Sequence, residues 1–394
     1  MSSGFRKCFC QMDCTAYGDR RNGSIDAVIC EVEQFRMSDQ VSSLWVQKSD
    51  LPKSQWHHSA IPDLADGEIL LEIEKYALTA NNITYAAVGD GFGYWNFFPT
   101  GDDEAGIVPV WGFAKVVASQ NSEIAVGERI YGYLPMASHL VVAPGNVTAA
   151  GFVDTAAHRQ GLAIIYNQYN RLGTDAGTGE AERALYQPLF TTSFLIEDFM
   201  RQSDWYGAEA LLLTSASSKT ALGLAMVAKN LSPAVKRIGL TSPGNADFVN
   251  DTGLYDQVLT YDALGSADAA QQIVSVDFAG NSKLLTQIHD FWDQNLKFSS
   301  LVGATHISER SGASDLKGPA PVLFFAPTAA ETLMKEIGPV EFRARVDAQF
   351  ANFVAGVDGH LLVEYLSGEE ALQSAYLEML ANKVAPNRGI ICAF

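Results

Sequence analysis

A run of small and hydroxyl-bearing residues at 215–223 is where this sequence most clearly offers chemistry. The run reads Ser-Ala-Ser-Ser-Lys-Thr-Ala-Leu-Gly and directly follows the apolar segment 210–214. Dinucleotide sites need small residues where the first strand turns into a helix, because the backbone must approach a diphosphate there. Hydroxyl groups can donate to phosphate oxygens, and a lysine adds a positive charge. We therefore predict a phosphate-binding turn made by Ser215, Ser217, Ser218, Lys219 and Thr220.

Two other interpretations of the same run stay open. Because the glycine fingerprint is missing, the run is also compatible with a helix N-terminus capped by serine or threonine, with Lys219 in solvent. A P-loop would require Gly-x-x-x-x-Gly-Lys-Ser/Thr. Only Ser218-Lys219-Thr220 matches that motif, and Leu213 stands at its first glycine. The sequence therefore favours a dinucleotide turn over a P-loop.

The elements around this turn alternate between apolar strands and helices. An apolar helix is predicted at 220–231, and strands are predicted at 210–214, 237–241, 257–260, 273–278 and 300–304. Such an alternation is typical of a doubly wound parallel sheet, in which ligands bind beyond the carboxyl ends of the strands. Thr305 and His306 follow the fifth strand, so we include them among the predicted cofactor-binding residues.

The part of the chain before this region has a different pattern. Short strand-like segments bounded by glycines recur at 67–76, 107–118, 127–132 and 139–143, which indicates a compact β-barrel-like domain. Helices are predicted next, at 158–172 and 181–203. Further strands are predicted at 321–325 and 389–393, after the doubly wound region.

Composition narrows the class of protein. The chain has 394 residues, of which 47% are hydrophobic and 18% charged, so it can bury large cores. Its net charge of −18 disfavours nucleic acid and anionic membrane surfaces as partners. No apolar run reaches the roughly 18 to 20 residues that span a bilayer, and no secretory signal is visible. We expect a cytoplasmic protein without nucleic-acid or membrane partners.

Cysteines concentrate in the first 36 residues, at Cys8, Cys10, Cys14 and Cys30. The tight Cys-x-Cys start and the absence of a second Cys-x-x-Cys pair favour reduced thiols over a metal site. This segment also lacks apolar periodicity. We expect residues 1–36 to be a poorly ordered extension that adds little to the fold.

From about residue 60 to its end, the chain resembles the medium-chain dehydrogenase/reductase superfamily. Residues 214–229 align without gaps on the family's Thr-Gly-Ala-Ala-Gly-Gly-Val-Gly run and the helix that follows it. Residues 126–132, Val-Gly-Glu-Arg-Ile-Tyr-Gly, look like the family's Val-Gly-Asp-Arg-Val-x-Gly element. In the first segment the positions where glycines are usual hold Ser215, Ser218, Lys219 and Ala221.

The resemblance implies an α/β protein with a Rossmann-like doubly wound domain and a GroES-like β-barrel domain. The expected organisation is an N-terminal extension (1–36), a GroES-like catalytic domain (37–160), a Rossmann-like nucleotide-binding domain (161–320) and a C-terminal return that completes the catalytic domain (321–394).

The resemblance also bears on zinc. Zinc-dependent members place Cys and a His-Glu pair at positions that here hold Thr79, Phe113 and Ala114. Because phenylalanine and alanine cannot ligate a metal, we predict a zinc-independent protein.

The segment after the second strand indicates the cofactor. NAD-preferring sites place Asp or Glu there to bind the ribose hydroxyls. This chain has Thr241-Ser242-Pro-Gly-Asn245 instead, without a carboxylate. Thr241 and Ser242 can hydrogen-bond a 2′-phosphate, which Lys219 would neutralise. We therefore predict NADP(H), with Thr241, Ser242 and Asn245 as further binding residues.

The catalytic candidates follow from the resemblance. Tyr85 and Tyr94 lie on the loop that approaches the nicotinamide in this family, and either phenol could donate a hydrogen bond to the substrate. Asn82 stands where relatives carry Asp. Each also has a structural interpretation, packing for the tyrosines and a turn or helix cap for Asn82. A polar-aromatic cluster at 166–169, on a predicted helix, either faces the cleft or stacks on itself.

We therefore expect a metal-free, NADP(H)-dependent oxidoreductase that reduces an enone, an enoyl thioester or a quinone by hydride transfer. Its partner would be a small-molecule or acyl-thioester substrate, and the family adds the expectation of a homodimer. The alternative is a catalytically silent relative that binds nucleotide for sensing or complex assembly. The glycine-poor turn keeps that alternative open.

Overall fold

The computed structural model describes residues 40–173, 179–302, 316–357 and 359–394. The strands in these ranges are β1 (Gln40–Gln47), β2 (Asp50–Ala60), β3 (Ile69–Leu78), β4 (Ala105–Ile107), β5 (Pro109–Ser119), β6 (Arg129–Pro135), β7 (His139–Val142), β8 (Pro144–Gly145), β9 (Gly151–Asp154), β10 (Gln168–Arg171), β11 (Ala210–Thr214), β12 (Lys236–Thr241), β13 (Gln257–Thr260), β14 (Ile273–Asp277), β15 (Leu296–Val302), β16 (Val322–Phe324), β17 (Leu362–Ser367) and β18 (Arg388–Ala393). The α-helices are α1 (Ala80–Ala87), α2 (Glu180–Gln202), α3 (Lys219–Leu231), α4 (Ala246–Asp251), α5 (Ser282–Trp292), α6 (Ala326–Ile337), α7 (Pro339–Val357) and α8 (Glu369–Leu380).

Six parallel strands form one sheet in the order β13-β12-β11-β14-β15-β16. All five residues of the central strand β11 are buried, as expected for a strand covered on both faces. Leu211 and Leu213 pack with α2 and α3, whereas Leu212 packs with α5 on the opposite face. The predicted doubly wound fold is therefore confirmed. The strand order reverses between β11 and β14, and this is where such sheets bind ligands.

The second sheet has nine strands and contains both early and late parts of the chain. Its order is β17-β18-β3-β5-β6-β10-β9-β8, and β7 pairs with β3. Gly112 and Gly132 face each other in the β5–β6 ladder. A side chain at Gly112 would come within 2.3 Å of the Lys75 carbonyl oxygen, and one at Gly132 within 2.3 Å of the Tyr169 ring. These glycines therefore permit the close packing of the strands in this sheet. The predicted GroES-like domain is confirmed.

One predicted element is wrong, and one hairpin was not predicted. The helix predicted at 158–172 is replaced by two short 3-10 turns and by β10, whose backbone pairs with both β6 and β9. Gly161 lies between the turns with a positive φ of 82°, which interrupts a helix. The hairpin of β1 and β2 was not predicted, and with β4 it forms a separate antiparallel sheet.

Two strands do not belong to the sheet that is expected for their predicted domain. β10, in the predicted nucleotide-binding range, belongs to the nine-stranded sheet, and β16, in the predicted C-terminal return, pairs with β15 in the parallel sheet. The domain boundaries themselves stay predictions. Residues 1–36 with their four cysteines, and the candidates Thr305 and His306, lie outside the described residues. In the described ranges no helix has the length and apolar character needed to cross a bilayer.

Candidate active site

A cavity of about 1960 Å³ lies against the reversal point of the parallel sheet. One part of its wall follows β11, β12 and β14, and another part belongs to the nine-stranded sheet and α1. Of the predicted site residues, those that line it are Tyr85, Tyr94, Ser215, Ser217, Ser218, Lys219, Thr220, Ser242 and Asn245. The structure thus brings most of the predicted cofactor residues and both candidate tyrosines to one cavity.

The turn after β11 is partly occupied by its own hydrogen bonds. The Ser218 hydroxyl oxygen caps α3 by accepting from the Ala221 amide at 3.2 Å, so this part of the capping interpretation holds. The Ser217 hydroxyl oxygen accepts from the Asn245 side chain at 3.0 Å, which joins this turn to the end of β12. Ser215 has a left-handed φ of 46°, where the family's usual residue is glycine. A helix cap and an open cavity therefore coexist at this turn.

Lys219 does not extend into solvent, so that part of the capping interpretation is wrong. It begins α3 and lines the cavity, and its amino group donates to the Arg388 carbonyl at 3.4 Å. Burial of the amino group lowers the pKa of Lys219 to about 8. Because Arg388 belongs to β18, the charge lies on the side of the turn that faces the nine-stranded sheet.

The predicted ribose-phosphate residues at the end of β12 differ in their access to the cavity. Ser242 and Asn245 line the cavity, but Thr241 does not. Thr241 is 1% exposed, and its hydroxyl has no hydrogen-bond partner among the described residues. Direct contact with a ligand in this cavity is therefore open to Ser242 and Asn245 and not to the Thr241 side chain.

Sequence reasoning missed the residues after β14, which complete this side of the site. The Thr214 hydroxyl donates to the Asp277 carboxylate at 2.6 Å and accepts from the Phe278 amide at 2.8 Å. These bonds tie the end of β11 to the end of β14. Phe278 and Ala279 consequently line the cavity beside the phosphate turn. Their position after the fourth apolar strand was the signal that could have identified them.

The opposite wall is a cluster of buried aromatic side chains. Tyr85 and Tyr94 are 5% and 7% exposed, with ring centroids 4.6 Å apart. Trp111 donates its indole N–H to the Tyr85 hydroxyl at 3.2 Å, and the Tyr94 and Tyr166 hydroxyls are 3.2 Å apart. Burial raises the pKa of Tyr85, Tyr94 and Tyr166, so all three phenols stay protonated at neutral pH. They can therefore act as hydrogen-bond donors.

Phenylalanine side chains extend this wall, which also contains Tyr166. Phe92 stacks on Phe325, just before α6, with ring centroids 5.3 Å apart, so the segment after β16 closes against the barrel. Tyr166 belongs to the cluster that we predicted on a helix. It lies in a short 3-10 turn instead, and it lines the cavity. The first interpretation of that cluster, a side chain facing the cleft, holds for Tyr166.

Asn82 is used structurally, as its second interpretation proposed. It is 2% exposed and does not line the cavity. Its side-chain oxygen accepts from the Thr79 amide at 2.6 Å, and its side-chain amide donates to the Pro109 carbonyl at 2.9 Å. Asn82 therefore fixes the start of α1 against the start of β5, which positions Tyr85 one turn later.

In this chain, the positions that hold zinc ligands in zinc-dependent members of the superfamily do not form a metal site. Thr79 caps α1, and Phe113 and Ala114 are buried in β5. Among the described residues, no group of three or more His, Cys, Asp or Glu side chains is arranged to hold a metal ion. Zinc independence itself stays a prediction.

Solved structures share this fold. CurA from Vibrio vulnificus, solved in complex with NADPH, is 14% identical, with a TM-score of 0.58 over 90% of this chain and 98% of that one. The CurK enoyl reductase is 14% identical, with a TM-score of 0.57 over 90% and 99%. The quinone oxidoreductase from Coxiella burnetii is 11% identical, with a TM-score of 0.55 over 90% and 99%. At these identities the likeness establishes the fold, that of the medium-chain dehydrogenase/reductases.

Sequence comparisons identify the family more narrowly. No curated protein sequence matches the chain. A family model described as a protein of unknown function, DUF2855, matches residues 76–385, which include both walls of the cavity. The chain therefore belongs to the DUF2855 family and carries the medium-chain dehydrogenase/reductase fold.

Proposed function

We propose that this protein is an NADP(H)-dependent, zinc-independent reductase of a small molecule with an activated C=C or C=O bond. The observation that carries the proposal is the single cavity lined by the turn after β11 and by the Tyr85 and Tyr94 wall. One wall has the position and chemistry of a nucleotide site, and the other has protonated phenols. The NADPH complex of CurA and the enoyl and quinone reductases of the same fold support this proposal.

The residues present fit a dinucleotide. Drug-sized ligands occupy pockets of about 300 to 1,000 Å³. A cavity of about 1960 Å³ therefore has room for a dinucleotide and a substrate together. The first amides of α3 and the Lys219 amino group would hold the diphosphate. Ser242 and Asn245, beyond β12, would hold the ribose phosphate, where a carboxylate would repel it.

When bound, the nicotinamide supplies or accepts a hydride, and the protein must orient the substrate and stabilise the oxygen that becomes negative. Tyr85 and Tyr94 serve that second role in our proposal, because each hydroxyl is buried, protonated and next to the cavity. Trp111 positions the Tyr85 hydroxyl by donating to it, and in our proposal the phenol donates its proton to the substrate oxygen. The aromatic rings around them exclude water and suit an apolar substrate.

The test uses the full chain. NADPH is titrated while its fluorescence is followed, and its oxidation is then measured at saturation with an enone, an enoyl thioester and a quinone. We expect saturable binding and turnover of at least one substrate. Deuterium at the nicotinamide C4 position should appear in that product. Absence of NADPH binding would overturn the proposal.

The glycine-poor turn gives specific support to the second candidate, a silent nucleotide-binding relative. Ser218 uses its hydroxyl as a cap, and Ser215 adopts a left-handed conformation without being glycine. Saturable NADPH binding with no turnover across the three substrate classes would favour this alternative.

A further inference from the structure

Two arginines at or beside the cavity have no acidic group within ion-pair distance among the described residues. Within the described ranges, every arginine except Arg183 and Arg343 forms an ion pair with Asp or Glu. This is unexpected in a chain of net charge −18, where carboxylates are abundant. The two guanidinium groups repel each other, although Asp347 attracts Arg183 from beyond ion-pair distance and offsets that repulsion. An anion placed between them would relieve it.

Both guanidinium groups are held in fixed positions by neutral neighbours. Arg183, on α2, donates from Nε to the Gln187 side-chain oxygen at 2.8 Å, and its guanidinium carbon lies 4.2 Å from the centroid of the Tyr131 ring. Arg343, on α7, donates to the Asn170 side-chain oxygen at 2.6 Å. Neither acceptor carries a charge. Each arginine therefore keeps further N–H donors and its full charge for a ligand.

Arg343 lines the cavity already described, and Arg183 contacts two residues that line it, Gln187 and Tyr131. Asn170 lines it as well. Tyr131 stacks on Trp111, with ring centroids 5.9 Å apart, and Trp111 in turn donates to the Tyr85 hydroxyl. The rings of Tyr131 and Trp111 thus lie between Arg183 and the Tyr85 phenol. A substrate with an apolar body could extend from the phenol to Arg343.

Two acidic groups lie nearby, Glu180 and Asp347, and the second of them lines the cavity. Glu180 is held by Arg129 and Lys75. Asp347, one turn after Arg343 on α7, acts on Arg183 electrostatically but forms no ion pair. Burial lowers the pKa of Arg183; Tyr131 and Asp347 act in the opposite direction, and the repulsion from Arg343 is smaller than either. A guanidinium nevertheless stays charged at neutral pH, since its usual pKa is above 12.

We propose that Arg343, with the charge of Arg183 behind it, binds an anionic group of the substrate, a carboxylate or a phosphate, at the cavity wall formed by α2, α7 and β10. This deepens the proposed function by giving the substrate a negative charge at the end away from the reducible bond. Planar carboxylates and phosphates match the fork of N–H donors on a guanidinium, which makes these two groups the expected ligands.

The test is calorimetric titration of the full chain with benzoate and, separately, with inorganic phosphate, at low ionic strength. Arg343→Gln is the main variant because Arg343 is exposed and its loss leaves the core intact. Arg183→Lys is the second variant. Arg345→Gln is the matched control, since Arg345 lies two residues away on α7 and pairs with Glu341. NADPH binding is measured on all four proteins.

We expect the wild type and Arg345→Gln to bind at least one of the two anions. Arg343→Gln should bind it at least about tenfold more weakly, as for a lost charge-assisted contact. The anion with the larger loss identifies the group as carboxylate or phosphate. Binding that is absent in the wild type, or equal in Arg343→Gln and Arg345→Gln, would overturn the inference.

A third outcome would also overturn it. If NADPH displaces the anion and NADH does not, the arginines bind the cofactor's 2′-phosphate and not the substrate. Failure of the proposed function is read separately, as absence of NADPH binding in the wild type. If the protein binds the anion through the arginines but does not bind NADPH, the anion site is supported and only the proposed reductase function is refuted.

Discussion

The two walls of the cavity are built in opposite ways. The wall after β11 and β12 consists of small polar residues on turns, with a lysine where the family usually has glycine. The barrel wall consists of large aromatic side chains on strands and short helices, locked by ring contacts such as the 4.6 Å Tyr85–Tyr94 pair. The first wall suits a charged, extended ligand held largely by backbone, and the second suits an apolar ligand held by shape.

This difference indicates what a substitution at each wall would change. At the polar wall, substituted side chains can project into the cavity without disturbing a core, as Lys219 does. At the aromatic wall, each ring contacts several others, so a change at one position moves its neighbours. Substitutions should therefore alter cofactor affinity at the first wall, and catalysis or stability at the second.

The largest effect is expected from removal of a phenol. Tyr85→Phe or Tyr94→Phe should lower kcat by about 10²-fold, since one donor to a developing oxyanion is lost. NADPH affinity should stay unchanged. Steady-state kinetics and fluorescence titration measure the two quantities.

Tyr376→Phe is the matched control for the phenols. Tyr376 is a buried tyrosine outside the cavity that donates to the Leu51 carbonyl at 3.0 Å. Wild-type kcat in both Tyr85→Phe and Tyr94→Phe would rule out a phenol as the donor.

Asn82→Ala tests the link between the barrel scaffold and its wall. It leaves the Thr79 amide and the Pro109 carbonyl without their buried partner, so the free energy of unfolding should fall by about 1 to 3 kcal/mol. Urea denaturation measures this. Activity below the transition should stay within a few-fold of the wild type. Unchanged stability combined with lost activity would restore the catalytic interpretation of Asn82.

Lys219→Ala tests the polar wall. Affinity for NADPH and NADH should fall by about tenfold, and to a similar extent, because Lys219 lies on the β18 side of the turn and not beside Ser242. In the wild type, affinity should be highest below pH 8 and fall above it, since the amino group with its pKa of about 8 loses its charge there. A selective loss of NADPH affinity would instead place Lys219 at the 2′-phosphate.

Ser215→Gly should have the smallest effect and the opposite sign. A left-handed conformation costs a non-glycine residue about 1 to 2 kcal/mol. Glycine avoids this cost but loses more conformational entropy on folding, so only part of it is gained. The net gain in unfolding free energy should be below about 1 kcal/mol, because the Ser215–Tyr261 hydroxyl contact at 3.5 Å is long. Lower stability would show that this contact matters more than the strain.

The parallel sheet could be predicted from sequence because its strands are continuous apolar runs. β13 begins and ends where the pattern placed it. Residues 158–172 could not be predicted, since Tyr166 and Tyr169 have helical spacing, whereas Tyr166 ends a 3-10 turn and Tyr169 lies in β10, which pairs with β6 and β9. The pairing of β18 with β3 joins distant parts of the chain, and only the resemblance implied it.

The candidate site was also partly predictable, where its residues are positioned by the neighbouring sequence. Turn residues such as Ser217 follow their strands directly, so their position is local information. The side-chain directions of Lys219 and Thr241 are not local. They depend on β18 and on packing within the sheet, respectively, and for both residues the structure differs from the simplest reading. Trp111 and Arg343 reach the cavity by tertiary packing, and no motif marks them.

The central claim, that a nicotinamide dinucleotide lies against the turn after β11, is tested most directly by filling that part of the cavity. Ser217→Trp places a large ring there, and Ser266→Trp is the control at an exposed serine outside the cavity. In fluorescence titrations we predict that the wild type and Ser266→Trp bind NADPH at one site and that Ser217→Trp does not. Undiminished binding to Ser217→Trp would contradict the account.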